Sequence, residues 1–173
     1  MKKLQLILLF ALLSFAYSCT DDDNPVKDDD PVDTTPTIEL IATDGLVIEE
    51  QSNVSTFEYY TQIKNTGTKD LNLLARMEII ELADAHWTYF CWGDAINGNG
   101  TCYAPMKEDF TATINLEVKA GETTPPGNFI NYIDNESSSS NTSKIRYIVY
   151  EAGNKDNADT LEYTINVKNP LEL

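Results

Sequence analysis

The chain has 173 residues and a formal net charge of −16, because 28 Asp and Glu residues outnumber 12 Lys and Arg residues. This charge excludes a nucleic-acid-binding surface of the usual kind, since there is no basic stripe to neutralise phosphates. Without the first 18 residues about 155 remain, enough for one ordinary domain with its own core and too few for two.

Residues 1–18 have the layout of a secretory signal peptide. Two lysines follow Met1, residues 4–15 are almost wholly apolar, and Ala16 and Ser18 supply small side chains at positions −3 and −1 of a cleavage site. The apolar stretch is shorter than the roughly 20 residues that a membrane-spanning helix needs. We therefore predict that this segment is a signal peptide and that the protein is exported.

Cys19 directly follows the cleavage site, and an acidic run at 21–23 comes next. A cysteine in this position resembles the lipobox of bacterial lipoproteins, in which it becomes the lipidated first residue. The acidic run resembles the surface-export signal of Bacteroidota-type lipoproteins. The resemblance implies that Cys19 carries a lipid anchor in the outer membrane and that the protein faces the cell exterior. Because the chain is strongly acidic and would be repelled by an anionic membrane, we expect it to attach only through this lipid.

The lipobox is imperfect, because Ala16 and Tyr17 stand where the family prefers Leu and a small residue. An ordinary signal-peptidase site, which would leave Cys19 as a plain N-terminus, is the alternative. The cysteine count favours lipidation, since Cys91 and Cys102 are a plausible pair and Cys19 would otherwise be an odd thiol.

Residues 19–36 are mostly Asp, Thr, Pro, Asn and Val, with no apolar periodicity. Such a segment cannot bury enough apolar surface to offset the entropy of ordering, and its like charges and prolines favour an extended chain. We predict that it is a disordered acidic tether between the lipid and a domain at 37–173.

From Thr37 onward, apolar and polar residues alternate in short stretches, which is typical of half-buried strands. The stretch 71–82 also has helical spacing and many helix-forming residues, so a helix is an alternative there; the turn residues at 65–67 favour a strand. The predicted strands are 38–41, 46–48, 57–63, 71–82, 114–118, 129–133, 145–149 and 161–167. Short strands separated by turns predict an all-β fold, a single antiparallel β-sandwich of the immunoglobulin or fibronectin-III type.

Cys91 and Cys102 are eleven residues apart and flank a segment rich in Gly and Asn. In an exported chain this spacing predicts a disulfide that closes a loop. The chain-entropy model gives such a closure about 3 kcal/mol of stability. A thiol-redox site is disfavoured because there is no Cys-x-x-Cys motif.

The motif Phe-Cys-Trp-Gly at 90–93, followed by Cys-Tyr-x-Pro at 102–105, carries a family resemblance. With 143–147 and 164–167 it resembles a sandwich module of many secreted and surface Bacteroidota proteins, often found beside a type IX secretion sorting domain. The resemblance covers about 37–168. It implies an immunoglobulin-like fold and a surface location, and it supplies no catalytic residues.

Four aromatic residues near the cysteines allow two interpretations. They could pack in the core and at its edge, as aromatic residues in sandwiches usually do, or form a stacking platform for carbohydrate. These candidate binding residues are Trp87, Tyr89, Trp92 and Tyr103.

No catalytic, phosphate-binding or metal-binding motif is present, and the single histidine, His86, excludes a multi-histidine metal site. We therefore expect no enzyme activity and no cofactor or metal. The leading hypothesis is a non-catalytic surface lipoprotein that serves as a binding or structural module for an envelope protein or an extracellular polymer. The alternative is a glycan-binding accessory protein of a nutrient-uptake system. An enzyme with a carboxylate pair in a cleft ranks third.

Overall fold

A computed structural model describes residues 35–51, 55–94, 98–136 and 139–169. Residues 1–18, Cys19 and almost all of the predicted tether lie outside this part of the chain. No helix within it is long and apolar enough to cross a bilayer. Its strands are β1 (Ile38–Ala42), β2 (Val47–Gln51), β3 (Ser55–Asn65), β4 (Leu71–Glu81), β5 (His86–Asp94), β6 (Asn99–Cys102), β7 (Phe110–Thr111), β8 (Leu116–Val118), β9 (Phe129–Asn135), β10 (Asn141–Glu151) and β11 (Asn154–Lys168).

The strands form two sheets that pack face to face around one core. One sheet has five strands in the order β1-β3-β9-β5-β6. The other has six, with β2-β11-β10-β4-β7 in order and β8 also paired with β4. Pairing is antiparallel except between β2 and β11, which are parallel. The prediction of an all-β, immunoglobulin-like sandwich is confirmed.

Residues 71–82, the stretch with the helical alternative, are strand β4 over Leu71–Glu81. Leu71, Leu73, Ala75 and Met77 are buried, and the residues between them are half-buried or exposed. This period of two buries one face of a strand, whereas the same spacing would scatter apolar side chains around a helix. The strands β5, β6 and β7 were not among the predicted ones.

Several tyrosine, threonine and asparagine side chains in the core form hydrogen bonds with each other. Tyr59, Tyr147 and Tyr163 are fully buried, and the hydroxyl oxygens of Tyr59 and Tyr147 are 3.1 Å apart. The Tyr163 hydroxyl lies 2.8 Å from the Thr61 hydroxyl, and Asn131 Nδ2 donates to that threonine at 3.0 Å. Burial raises the pKa of Tyr163 to about 12, so the phenol is neutral and able to take part in these hydrogen bonds.

The first strand lies at an edge of the five-stranded sheet and is also held by side chains of β11. Asp159 Oδ2 accepts the backbone N–H of Leu40 at 2.7 Å. Asn157 Oδ1 accepts the backbone N–H of Thr37 at the same distance. These bonds join the two sheets, because β11 belongs to the six-stranded one.

Candidate functional site: an aromatic face

The alternation of side chains along a strand decides which aromatic residues can reach solvent. In β5 the residues His86, Thr88, Phe90 and Trp92 are fully buried, so they point into the sandwich. Trp87 and Tyr89 alternate with them and are half-buried on the outer surface. The same alternation places Tyr132 and Asp134 of β9, and Glu58 and Tyr60 of β3, on that outer surface.

Because β9 lies between β3 and β5, these residues form two rows across the sheet. In one row Tyr132 stands opposite Tyr89 on one side and Glu58 on the other. In the next row Asp134 stands opposite Trp87 and Thr56. Cross-strand neighbours of this kind have side chains in reach of each other. We call the surface formed by Tyr60, Trp87, Tyr89 and Tyr132 the aromatic face.

Tyr89 and Tyr132 form the centre of the aromatic face. Their rings are stacked with centroids 4.6 Å apart and planes 5° from parallel. Partial burial raises the pKa of both phenols, and the neighbouring carboxylates add to the effect, chiefly Asp134 for Tyr89 and Glu58 for Tyr132. Both rings are therefore neutral at physiological pH and fixed in position by each other.

Two carboxylates stand within the aromatic face. Glu58 Oε1 accepts the Tyr60 hydroxyl at 2.6 Å, which raises the pKa of Tyr60 to about 12. Asp134 Oδ1 accepts the Thr56 hydroxyl at 2.6 Å. Neither carboxylate is in an ion pair with a described Lys, Arg or His. The face thus combines apolar rings with uncompensated negative charge.

Trp87 occupies one margin of the aromatic face and is partly covered. The ammonium of Lys107 lies 4.6 Å from the centroid of its ring, a cation–π contact, and also donates to the carbonyl of Asp84. The indole N–H is buried and has no hydrogen-bond partner in the described structure. It is therefore not directed at a ligand in solvent.

The structure separates the four aromatic residues that the sequence suggested as one platform. Trp92 is fully buried, with its ring at right angles to Phe129 and its indole N–H donating to the Ile114 carbonyl at 3.1 Å. Tyr103 packs against Phe90 and accepts the Thr113 N–H. Only Trp87 and Tyr89 lie on the outer surface. Trp92 belongs to the packing interpretation because its position in β5 turns it inward. Tyr103, which follows β6 and is half-buried, belongs to it because its ring packs against Phe90 and Phe110 at the edge of the core.

The predicted disulfide between Cys91 and Cys102 is present and lies beside the aromatic face. The two residues are directly opposite in the β5–β6 pair, with Cα atoms 3.9 Å apart. Next to them Gly93 has φ +79°, and an added Cβ would be 3.1 Å from the Asn99 carbonyl oxygen and from Gly100 Cα. Glycine is therefore needed at this position, both for its conformation and for the close approach of the strands.

His86 has a structural position in the core. Its Nδ1 is 2.7 Å from the Ser143 hydroxyl oxygen, which also accepts the Ala83 N–H. Burial, with a smaller contribution from Lys107, lowers the pKa of His86. The imidazole is neutral at pH 7 and closed off from solvent, so it cannot serve a substrate.

The described ranges contain no group of three or more His, Cys, Asp and Glu residues able to hold a metal. An open groove of about 380 Å³ lies at the ends of β10 and β11 and is lined mostly by polar side chains, with Lys168 as the only charged one. Glu58 and Asp134 are diagonal neighbours, but they stand on an open sheet surface that does not exclude water.

The sequence did not identify Tyr60, Tyr132, Glu58 or Asp134 as site residues. In the predicted strand 57–63 the residues Glu58 and Tyr60 alternate with Phe57 and Tyr59, and this alternation is the sequence signal for their outward position. Tyr132 could be linked to Tyr89 only through the pairing of β9 with β5. That pairing joins segments more than 30 residues apart and has no local signature.

No family model matches the chain, and no curated protein matches it. Solved structures resemble its fold. The N-terminal domain of PorA has a TM-score of 0.51 at 14% identity, over 76% of this chain and 98% of that one. A PapD-like domain of human CEP192 has a TM-score of 0.44 at 10% identity, over 78% and 86% of the two chains. At these identities the likeness concerns the fold alone.

Proposed function

We propose that this protein is a non-catalytic lipoprotein of the cell surface, held in the outer membrane by Cys19, and that its sandwich domain binds an envelope protein or extracellular polymer through the aromatic face. The observation that carries the proposal is the set of four half-buried rings on one outer surface of the domain. None of the four belongs to the buried core. Clustered aromatic residues outside a core are typical of binding surfaces.

The immunoglobulin-like fold supports a binding or structural role, since its edges and faces are open surfaces without an enclosed reaction site. The rigid stack of Tyr89 on Tyr132 is suited to recognition, because its rings lose little side-chain entropy when a partner binds. The anchor and the acidic tether are supported by the sequence alone. In this arrangement the tether would hold the domain away from the membrane and leave the face accessible.

Glycan binding is the second candidate, and Trp87 with Tyr89 on one surface favours it. A sugar needs an uncovered ring face against which its C–H groups can pack. Lys107 covers one side of Trp87, and Tyr89 and Tyr132 cover one side of each other. Fewer ring faces are therefore open to a sugar than the number of aromatic residues suggests.

A binding screen with matched variants tests the proposed surface. The chain from residue 19 onward, carrying Cys19→Ala to prevent acylation, would be screened against polysaccharides and purified envelope proteins. Tyr89→Ala should weaken any specific interaction about tenfold or more, as expected for an aromatic hot spot. Tyr150→Ala is the control, because Tyr150 is a half-buried tyrosine of the other sheet, also near a lysine. Equal effects of both variants would contradict the assignment of the surface.

A fractionation experiment tests the anchor separately. Cells producing the natural chain should retain it in the outer membrane, since several acyl chains hold a protein there effectively irreversibly. Cys19→Ala should release it into a soluble fraction. A variant that still fractionates with membranes would refute lipidation at Cys19 and leave the binding surface untouched.

A further inference from the structure

We propose that the occupant of the aromatic face is a protein segment bearing arginine, recognised by the rings of Tyr89 and Tyr132 together with the carboxylates of Glu58 and Asp134. This inference rests on the proposed binding function and specifies the chemistry of its partner. Three features of the described part of the chain support it: the charge left unpaired, the position of that charge relative to the rings, and the existing contacts of the lysine beside them.

The negative charge on the face has no partner within the described structure. Glu58 and Asp134 each use one oxygen to accept a neutral hydroxyl, from Tyr60 and Thr56. A hydroxyl orients a carboxylate but does not neutralise it, so the second oxygen of each remains an acceptor for a charged donor. By contrast, the exposed Glu39 at the edge of the same sheet is already in an ion pair, with Lys64.

Lys107, the described lysine that contacts the aromatic face, already has partners. The ammonium of Lys107 lies over the Trp87 ring and donates to the Asp84 carbonyl, and it makes no ion pair with either carboxylate. An anionic ligand such as a phosphate would thus meet two carboxylates and no free cation. A cationic ligand would meet complementary charge, and this complementarity favours a basic partner.

The spacing of the groups fits a guanidinium. Glu58 stands directly opposite Tyr132, and Asp134 is two residues along the same strand as Tyr132. Glu58 and Asp134 are therefore diagonal neighbours, whose backbones are roughly 7–8 Å apart and whose long side chains are in reach of one ligand. Tyr89 stacks on Tyr132 from β5, and Glu58 stands opposite Tyr132 on the other neighbouring strand, β3. A planar guanidinium can lie against a tyrosine ring and donate two hydrogen bonds to a carboxylate at once.

Arginine is favoured over lysine for this reason. A lysine ammonium is more strongly hydrated and has no planar surface for the ring, so it would gain less from the same groups. Arginine is also one of the residues most often found at the energetic hot spots of protein interfaces, together with tyrosine and tryptophan. The partner surface is therefore expected to be basic, in keeping with the acidic balance of this chain.

The test uses two peptides, acetyl-Gly-Arg-Gly-Arg-Gly-amide and the same peptide with citrulline, which keeps the shape of arginine without its charge. Each would be titrated into the isotopically labelled chain from residue 19 onward, with Cys19→Ala, and followed by two-dimensional NMR. The arginine peptide should shift the signals of Tyr89 and Tyr132, and the citrulline peptide should not. Raising the salt concentration should weaken the binding, because the charges are only partly buried.

Glu58→Gln combined with Asp134→Asn should weaken binding of the arginine peptide roughly tenfold, since both partly exposed ion pairs with the peptide would be lost. Both changes keep the shape of the side chain and an oxygen acceptor for the neighbouring hydroxyl. Asp156→Asn is the control, because Asp156 is an exposed carboxylate on β11 of the other sheet.

The outcomes separate this inference from the proposed function. Equal binding of the citrulline peptide would overturn the cationic partner while leaving the aromatic face as a binding surface. If Asp156→Asn weakens the arginine peptide as much as the double variant does, the peptide is attracted to the acidic protein in general. That result would refute the assignment of Glu58 and Asp134 as its binding site. No binding of either peptide up to millimolar concentration would also refute the arginine-bearing partner. The proposed binding function would then still be tested by the separate screen with Tyr89→Ala.

Discussion

Breaking the Cys91–Cys102 disulfide should lower the stability of the domain by an amount that the structure allows us to estimate. The bond closes a segment with a sequence separation of 11, for which the chain-entropy model gives about 2.8 kcal/mol. A domain of this size loses roughly 3–5 °C of unfolding midpoint per kcal/mol, so the midpoint should fall by roughly 10 °C.

This effect should come from the unfolded chain and not from a damaged native state. The β5–β6 pairing continues on both sides of the disulfide, with Tyr103 N–H donating to the Phe90 carbonyl at 3.1 Å and Trp92 opposite Thr101. These contacts hold the strands together without the sulfur bridge. The reduced protein should therefore keep its native spectrum, and its denaturant slope should rise because the unfolded chain is less compact.

The assay is thermal and denaturant unfolding of the natural chain with and without a reducing agent, alongside Cys91→Ala combined with Cys102→Ala. Alanine is preferred to serine because Cys91 is only 3% exposed and a buried hydroxyl would add its own cost. The variant and the reduced protein should agree. An unchanged midpoint on reduction, or loss of the native spectrum under folding conditions, would refute the reasoning.

Three further predictions concern the two tryptophans, the buried histidine and the acidic run. Trp92→Ala should destabilise the domain by about 3–5 kcal/mol, whereas Trp87→Ala should cost less because that ring is half-buried. Denaturant unfolding measures both losses, and similar values would contradict the placement of the two rings on opposite sides of β5. The pKa of His86 is lowered in the folded state, so the neutral imidazole stabilises the fold and this contribution is complete above about pH 6.5. As the pH falls below that value, the free energy of unfolding should decrease by at most about 1.4 kcal/mol per pH unit. His86→Asn should flatten this part of the stability profile, and an unchanged slope would exclude the histidine as its source. Replacing the aspartates at 21–23 by alanine should protect the protein from external protease on intact cells, and continued digestion would mean that the run is only a linker.

The sequence could predict the sandwich because most strands bury one face and expose the other. In β11 the buried residues Tyr163, Ile165 and Val167 alternate with polar ones. Strand β5 was missed because both of its sides carry aromatic or apolar residues, so hydrophobicity has no period of two there. The outward aromatic residues that make up the candidate site are the same ones that conceal the strand.

Parity alone could have separated Trp87 from Trp92 once β5 was recognised, because an odd number of steps along a strand leads to the opposite side. The remaining parts of the site depend on strand order. Nothing local to Tyr132 or Asp134 indicates that β9 lies between β3 and β5, since that order results from packing between distant segments. Sequence patterns thus identified the fold and two of the four rings, and tertiary structure supplied the others.

The bond from Asp159 to the Leu40 N–H has a consequence for neighbouring copies of this protein. Leu40 is in the middle of β1, an edge strand, and its pairing with Ile63 turns its N–H away from β3. An unpaired N–H at such an edge could be used by a strand from another molecule, which is how sheets join into aggregates. The aspartate occupies that donor from within the same chain. A neighbouring copy would therefore find this donor unavailable for pairing with its own strand.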